Sequence, residues 1–170
     1  MCKGVSMKAN ITRIIKAGAL FLVLTAFDLF TKSVAVSALE GGKRIPLISG
    51  VLEFYYIQNR GAAFGIFQDG TFILCMISAI ALFALIFIYL RIPDGKKYLQ
   101  LRLVLIFIAA GADGNLYDRI TLQYVRDFIY FSLIDFPVFN VADIYVTCSV
   151  FILAFLILFY YKEDDLQFGH

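Results

Sequence analysis

The residues able to do chemistry in this chain are aspartates and their polar neighbours: Asp28 with Lys32, Asn59 with Gly61, Asn115 with Asp118 and Arg119, Asp127, and Asn140 with Asp143. Their spacing groups them. Asp28 and Lys32 are four apart, Asn115, Asp118 and Arg119 fall at steps of three and four, and Asn140 and Asp143 are three apart, so each set shares a face of a helix. Competing chemistries lack their parts. The single histidine is His170, far along the chain from the aspartates, so a Ser–His–Asp or Cys–His mechanism has no base and an H-E-x-x-H zinc site cannot be written. Neither a G-x-S-x-G elbow nor a G-x-x-x-x-G-K-[ST] phosphate loop occurs. Cys2, Cys75 and Cys148 are too scattered for a disulfide framework or a metal site, and no cofactor is expected. What remains is carboxylate. Two close carboxylates share a proton and titrate as a pair, so the ionised one can take a proton from water while the other donates one to a peptide carbonyl. Which two pair stays open on these grounds: Asp28, Asp113, Asp118, Asp127 and Asp143 all qualify.

The elements that must position these residues are membrane spans. Of 170 residues, 61% are hydrophobic and 16% charged, with a mean hydropathy of +0.83, whereas a soluble domain carries about 25% charged residues. Phe72–Leu90 and Ile144–Tyr161 contain no charge, and each is close to the ~20 residues that cross a bilayer. A third run, Ala17–Val36, is broken by Asp28 and Lys32, and a fourth begins near Leu101 and must pass Asp113, Asn115 and Asp118 to cross. The reading is an all-α membrane protein forming one integral domain over 1–170, with four transmembrane helices at about 14–36, 71–90, 101–119 and 141–161. The first run is longer than the ~7–15 residues of a signal-peptide core and is expected to be a retained helix; Met7 is an alternative start. The net charge of +2 is spread along the chain, which excludes a nucleic-acid-binding face.

Lys3, Lys8, Arg13 and Lys16 at one end, and Arg91, Lys96, Lys97 and Arg102 in one short loop, put both termini in the cytoplasm by the positive-inside rule. Segments 37–70 and 121–139 then lie outside. Within them Val51–Gln58 and Tyr124–Phe131 are rich in Val, Ile, Phe and Tyr, which favours strands, so a small sheet resting on the outer membrane surface is expected. On this topology every polar residue named above gathers at one membrane face. Intramembrane ionisable residues are costly and mark function.

Five blocks in order resemble the lipoprotein signal peptidase (signal peptidase II) family. Asp28-Leu-Phe-Thr31-Lys32 is similar to D-Q-x-T-K, and Asn59-Arg-Gly-Ala-Ala-Phe64-Gly to N-x-G-A-A-F. Ala110-Gly-Ala-Asp-Gly-Asn115-Leu-Tyr-Asp118-Arg119 is similar to G-G-A-x-G-N-x-x-D-R, Val125-Arg-Asp127-Phe128 to V-x-D-F, and Phe139-Asn140-Val-Ala-Asp143 to F-N-x-A-D. The resemblance implies a metal-free aspartic endopeptidase of the bacterial cytoplasmic membrane, active at its outer face. It would cleave diacylglyceryl prolipoproteins before the lipidated cysteine, work as a monomer in membrane lipid and be blocked by globomycin. It implies a catalytic pair of Asp127 and Asp143. It implies supporting roles for Asp28, Lys32, Asn59, Gly61, Asn115, Asp118, Arg119 and Asn140, and an outer β-cradle with a short outer helix. Leu29, Ala110, Asp113 and Arg126 depart from the pattern or stand at its variable positions. On an extended segment Arg126 points away from the side Asp127 faces.

Plainer readings of the same residues exist. Asp143 near a helix start is favoured by the dipole alone, and Asp28 with Lys32 is a simple i,i+4 pair. Asp118-Arg119 reads as a structural ion pair, with Arg119 also within reach of a substrate carbonyl. Asn59 reads as a turn residue and Asp113 as a water-exposed rim residue. Rival functions are a small proton-coupled transporter, which would place acids near the midplane with inverted repeats, and a non-catalytic binder of lipidated peptides.

Overall fold

The computed structural model describes residues 7–61 and 70–167, with backbone only for 7–10. Ala62, Ala63 and Phe64 of the second block, and the residues Cys2, Lys3 and His170, lie outside the described residues, as does the side chain of Lys8. Four long helices carry the chain: α1 (Met7–Leu39), α2 (Thr71–Arg91), α3 (Leu99–Leu122) and α4 (Val141–Phe155), the last continued by a π-helical turn, Leu156–Tyr160. All four contain a stretch long and apolar enough to cross a membrane. α1 and α3 overrun the crossing segments expected from hydropathy, because helical hydrogen bonding persists past the apolar run; α1, at 33 residues, is ~50 Å long.

Outward-facing side chains explain why these helices need lipid. Phe83 of α2 is 74% exposed and Phe159 beyond α4 is 75% exposed, an arrangement that in water would leave large apolar patches uncovered. The third helix differs. It packs against α1, α2 and α4 and buries Val104, Leu105, Ala109, Ala110, Gly111, Gly114 and Asp118. Its weak hydropathy is thus the mark of a helix surrounded by protein. Two glycines make that packing possible. A Cβ on Gly111 would lie 2.5 Å from the Ala142 carbonyl oxygen, and one on Gly114 would collide with the Asp28 carboxylate. α3 therefore meets the α4 backbone at Gly111 and makes room at Gly114 for the Asp28 side chain of α1.

At one end of the bundle sits an antiparallel sheet in the order β1-β2-β3 (Arg44–Ile48, Leu52–Asn59, Val125–Tyr130). β2 and β3 fall within a residue of the expected strands. β1 was not anticipated: Pro46 lies inside it, which is tolerated because β1 is an edge strand. Gly50, at φ +71°, turns the β1–β2 hairpin, a conformation only glycine adopts readily. Phe54, Tyr56 and Phe128 close the sheet over Ala35 and Leu39 at the end of α1. Phe139 then pairs with β3, its N–H donating to Ile129 O at 2.9 Å and its carbonyl accepting from Ile129 N at 2.8 Å. That pairing delivers the next residue, Asn140, to the start of α4. Among the described residues the outer segments hold one short helical turn, Ser132–Ile134. A second cluster, of Ile92, Leu101, Val104, Leu105, Leu156 and Tyr161, closes the opposite end.

Candidate active site

The sheet register places the first candidate acid. Ile57 pairs with Asp127 and Asn59 with Val125, so Asn59 and Asp127 are diagonal neighbours on one face. Asn59 Nδ2 donates to Asp127 Oδ2 at 2.8 Å. Its Oδ1 accepts from Gly61 N at 3.0 Å, so Asn59 holds both the turn and the acid. Gln58 and Arg126 occupy the other face. There Arg126 clamps Asp118, with Nη2 at 2.6 Å from Oδ1, Nε at 3.2 Å from both oxygens, and its backbone N–H on Oδ2 at 3.1 Å. The alternation of a strand thus sends Arg126 into α3 and Asp127 into the cavity.

The second acid is placed by a helix cap. Asn140 caps α4, its Oδ1 accepting from Asp143 N at 3.0 Å while its own N–H donates to Asp143 Oδ2 at 3.0 Å, a reciprocal capping box. The same side chain then reaches the first acid: Asn140 Nδ2 donates to Asp127 Oδ1 at 2.6 Å and to Asn115 Oδ1 at 3.1 Å. One buried residue therefore joins the two carboxylates, Asn140 reaching Asp127 through its side-chain amide and Asp143 through its backbone N–H. Asn115 Nδ2 completes the ring by donating to Asp143 Oδ1 at 2.8 Å.

The direction of this network is dictated by Lys32. Its ammonium is fully buried and lies 2.7 Å from Asp28 Oδ2, 3.5 Å from Asp118 Oδ2 and 2.9 Å from Asn115 Oδ1. An ammonium cannot accept, so Asn115 must turn its oxygen to Lys32 and its NH₂ to Asp143. Asp28, fully buried, spends Oδ1 on the N–H of Ala142 at 2.8 Å, pinning the first turn of α4. Asp28 is thus more than a simple i,i+4 partner of Lys32, since it also holds α4 from beneath.

Two expectations are corrected. Asp118 and Arg119 do not pair, since adjacent helical residues diverge; Asp118 faces Arg126 and Lys32, and Arg119 faces the cavity, its Nη1 3.5 Å from Asn115 O. Asp113 is no rim residue; it is half-buried and faces Thr25 of α1. Sequence reasoning also missed the Arg126–Asp118 clamp, for which the only signal was the strand alternation around Asp127.

A cavity of about 1050 Å³ lies between α2, α3, α4 and the sheet. Asn59, Gly61, Asn115, Arg119, Asp127 and Asp143 line its polar end, and residues such as Leu85 and Ile108 continue it down the bundle as an apolar groove. Asp28, Lys32, Asp118 and Asn140 lie behind this wall. Burial, and then the negative charge of Asp143, push Asp127 up to about 7; the amides of Asn59 and Asn140 pull the other way, by favouring the ionised form. Each Asp127 oxygen takes one amide hydrogen, leaving a lone pair on each for a proton or a water. Among the described residues no group of three His, Cys, Asp or Glu side chains could hold a metal ion.

A four-span bundle with a carboxylate-walled cavity beneath a small sheet is the architecture of a bacterial membrane enzyme. Two solved chains described in those words are similar to this one, with TM-scores of 0.76 and 0.73, each 27% identical, covering 96% and 95% of this chain and 97% and 99% of theirs. Residues 20–159 match the family described as Signal peptidase (SPase) II. Lipoprotein signal peptidases of Clostridium novyi (38% identical, covering 77% of this chain and 89% of that one), Brevibacillus brevis (41%, covering 77% and 87%) and Clostridium tetani (41%, covering 82% and 88%) are similar over most of their length. The chain belongs to the signal peptidase II family, and is a protease built into a bacterial membrane.

Proposed function

We propose that the chain is an aspartic endopeptidase that removes the signal peptide of diacylglyceryl-modified prolipoproteins, cutting just before the lipidated cysteine, with Asp127 and Asp143 as the catalytic pair. One observation carries the reading: both carboxylates face one cavity and are bridged by the buried Asn140 amide and cap. Asp127, which holds its proton up to about pH 7, donates it to the scissile carbonyl oxygen. Asp143, ionised, takes a proton from the attacking water. The tetrahedral diol collapses as the leaving nitrogen receives that proton, the C–N bond breaks, and Asp127 recovers its own. Arg119 lies where it can bind a substrate carbonyl next to the scissile bond, and preorganised donors of this sort act at the developing charge.

The apolar continuation of the cavity suits a signal helix entering sideways from the bilayer with its acyl chains left in lipid. Binding energy from those chains would orient the reacting carbonyl. Arg13, Lys16, Arg91, Lys96, Lys97 and Arg102 all belong to the end remote from the aspartates, which by the positive-inside rule is cytoplasmic and puts the active site at the outer face. The enzyme works as a monomer, and globomycin occupies the same cavity.

The test is cleavage of a diacylglyceryl precursor by purified protein in detergent, followed by gel shift with and without globomycin. Asp127→Asn and Asp143→Asn each abolish turnover while the protein keeps its thermal transition. Near-normal turnover in either variant refutes the pair.

A further inference from the structure

The end of the bundle remote from the aspartates carries a second, smaller cavity of about 600 Å³ between α1 and α3. Its α1 wall is Arg13, Lys16, Ala17 and Leu20, and its α3 wall is Arg102, Leu103 and Ile106. On each helix these sit at steps of three and four, one face apiece. Along α1, Arg13 is fifteen residues before Asp28, ~22 Å down the helix axis, so this cavity and the aspartate site occupy different depths of the bilayer.

The arrangement is graded from charge to hydrocarbon. Three cations, Arg13, Lys16 and Arg102, meet one carboxylate, Asp94. Arg102 is committed to the α2–α3 loop, donating to Pro93 O at 2.7 Å and Gly95 O at 2.8 Å. Arg13 spends Nη1 on Asp94 at 2.7 Å and Ile92 O at 2.9 Å, yet its Nε is buried with no partner. Lys16 is exposed and has no partner among the described residues. Deeper in the bilayer the walls become Leu20, Leu103 and Ile106. A cation excess at the boundary with an apolar groove directly beneath it matches the two halves of one molecule: an anionic headgroup and an acyl chain.

We propose that this groove holds one anionic phospholipid of the leaflet opposite the aspartates, its phosphate on Lys16 and Arg13 and one acyl chain along Leu20, Leu103 and Ile106. Basic pockets between transmembrane helices recognise lipid headgroups in this way. Bound there, the lipid ties α1 to α3 and stabilises the bundle by mass action. The proposal is independent of the catalytic reading, since Asp127 and Asp143 line the other cavity.

The experiment uses the full chain in detergent, with phosphatidylglycerol or phosphatidylcholine of the same acyl chains, read by native mass spectrometry and by the thermal transition. Wild type retains one phosphatidylglycerol at least about fivefold more strongly than phosphatidylcholine, the factor expected of one cation near a membrane surface. Lys16→Glu removes that preference and the accompanying thermal shift, with signal peptidase turnover unchanged in detergent. Arg91→Glu, at the same end of the bundle but outside the groove, keeps both. Glycerol 3-phosphate, which offers the phosphate without the chains, does not displace the lipid. Equal retention of the two lipids, an unaltered preference in Lys16→Glu, an equal loss in Arg91→Glu, or displacement by glycerol 3-phosphate would each overturn the proposal.

Discussion

Asn59→Ala tests the assignment of Asp127 as the proton donor, because the structure fixes the sign of its effect. Asp127 is held near 7 by burial and by Asp143, against the opposing pull of the Asn59 and Asn140 amides. The Asn59 bond, at 2.8 Å, strengthens when Asp127 ionises, so it lowers the affinity of that carboxylate for its proton. A hydrogen bond to a charged group is worth ~1.5–3 kcal/mol, and ~1.4 kcal/mol is one pH unit. Losing it raises Asp127 by about one unit or somewhat more. A donor must carry its proton, so wild-type activity falls as pH rises through about 7 and that of Asn59→Ala falls about one unit higher. The assay is kcat/KM for a diacylglyceryl-cysteine peptide between mildly acidic and mildly alkaline pH. Asn59 also anchors Gly61, and loosening that turn lowers the whole profile without moving its alkaline limb. A limb that stays put, or moves to lower pH, refutes the role given to Asp127.

Two further outcomes follow from the supporting network. Lys32→Met leaves the buried Asp28 and Asp118 carboxylates short of a cation and should cost ~3–5 kcal/mol, measured by unfolding in mixed micelles; a loss under ~1 kcal/mol would contradict the burial of that pair. Gly114→Ala drives a methyl into the Asp28 carboxylate and should destabilise by ~1–3 kcal/mol with a matching fall in turnover, since Asp28 pins the start of α4; unchanged stability would mean that the helices can spread at no cost.

The helices were legible because lipid demands apolar residues all round, and α2 obeys that almost without exception. The third helix was faint for the opposite reason: enclosed by its neighbours, it could carry Asn115 and Asp118 inside the bilayer. Strand alternation foretold that Arg126 and Asp127 would face apart. What alternation cannot name is the partner on the far side, so Asp118 was assigned to the adjacent Arg119 when its true partner is Arg126, eight residues on. The amide orientation of Asn115 was out of reach too, because it is set by contacts with residues distant in sequence, Lys32 with Asn115 being 83 apart. β1 was hidden by Pro46, which pattern reading takes as a break and which an edge strand accepts.

On the proposed mechanism Asp127 and Asp143 share one proton, and the charges around them favour that state. Behind the cavity wall, Asp28 and Asp118 are matched by Lys32 and Arg126, so the scaffold is electroneutral and adds little net field. In front of it stand Asp127, Asp143 and the permanently charged Arg119, while Arg60, the other cation of the lining, is exposed at the rim, where water and salt screen it. With both acids ionised this front set carries one uncompensated negative charge in a low-dielectric pocket, and with both protonated it carries one uncompensated positive charge. Only the singly protonated pair is neutral with Arg119, and isolated buried charge is what such a pocket penalises most. The electrostatically favoured state is therefore one acid beside one base, the division of labour that hydrolysis by two carboxylates requires, and the buried Lys32–Asn115 contact keeps the donors arranged so that neither carboxylate loses its place when the proton moves.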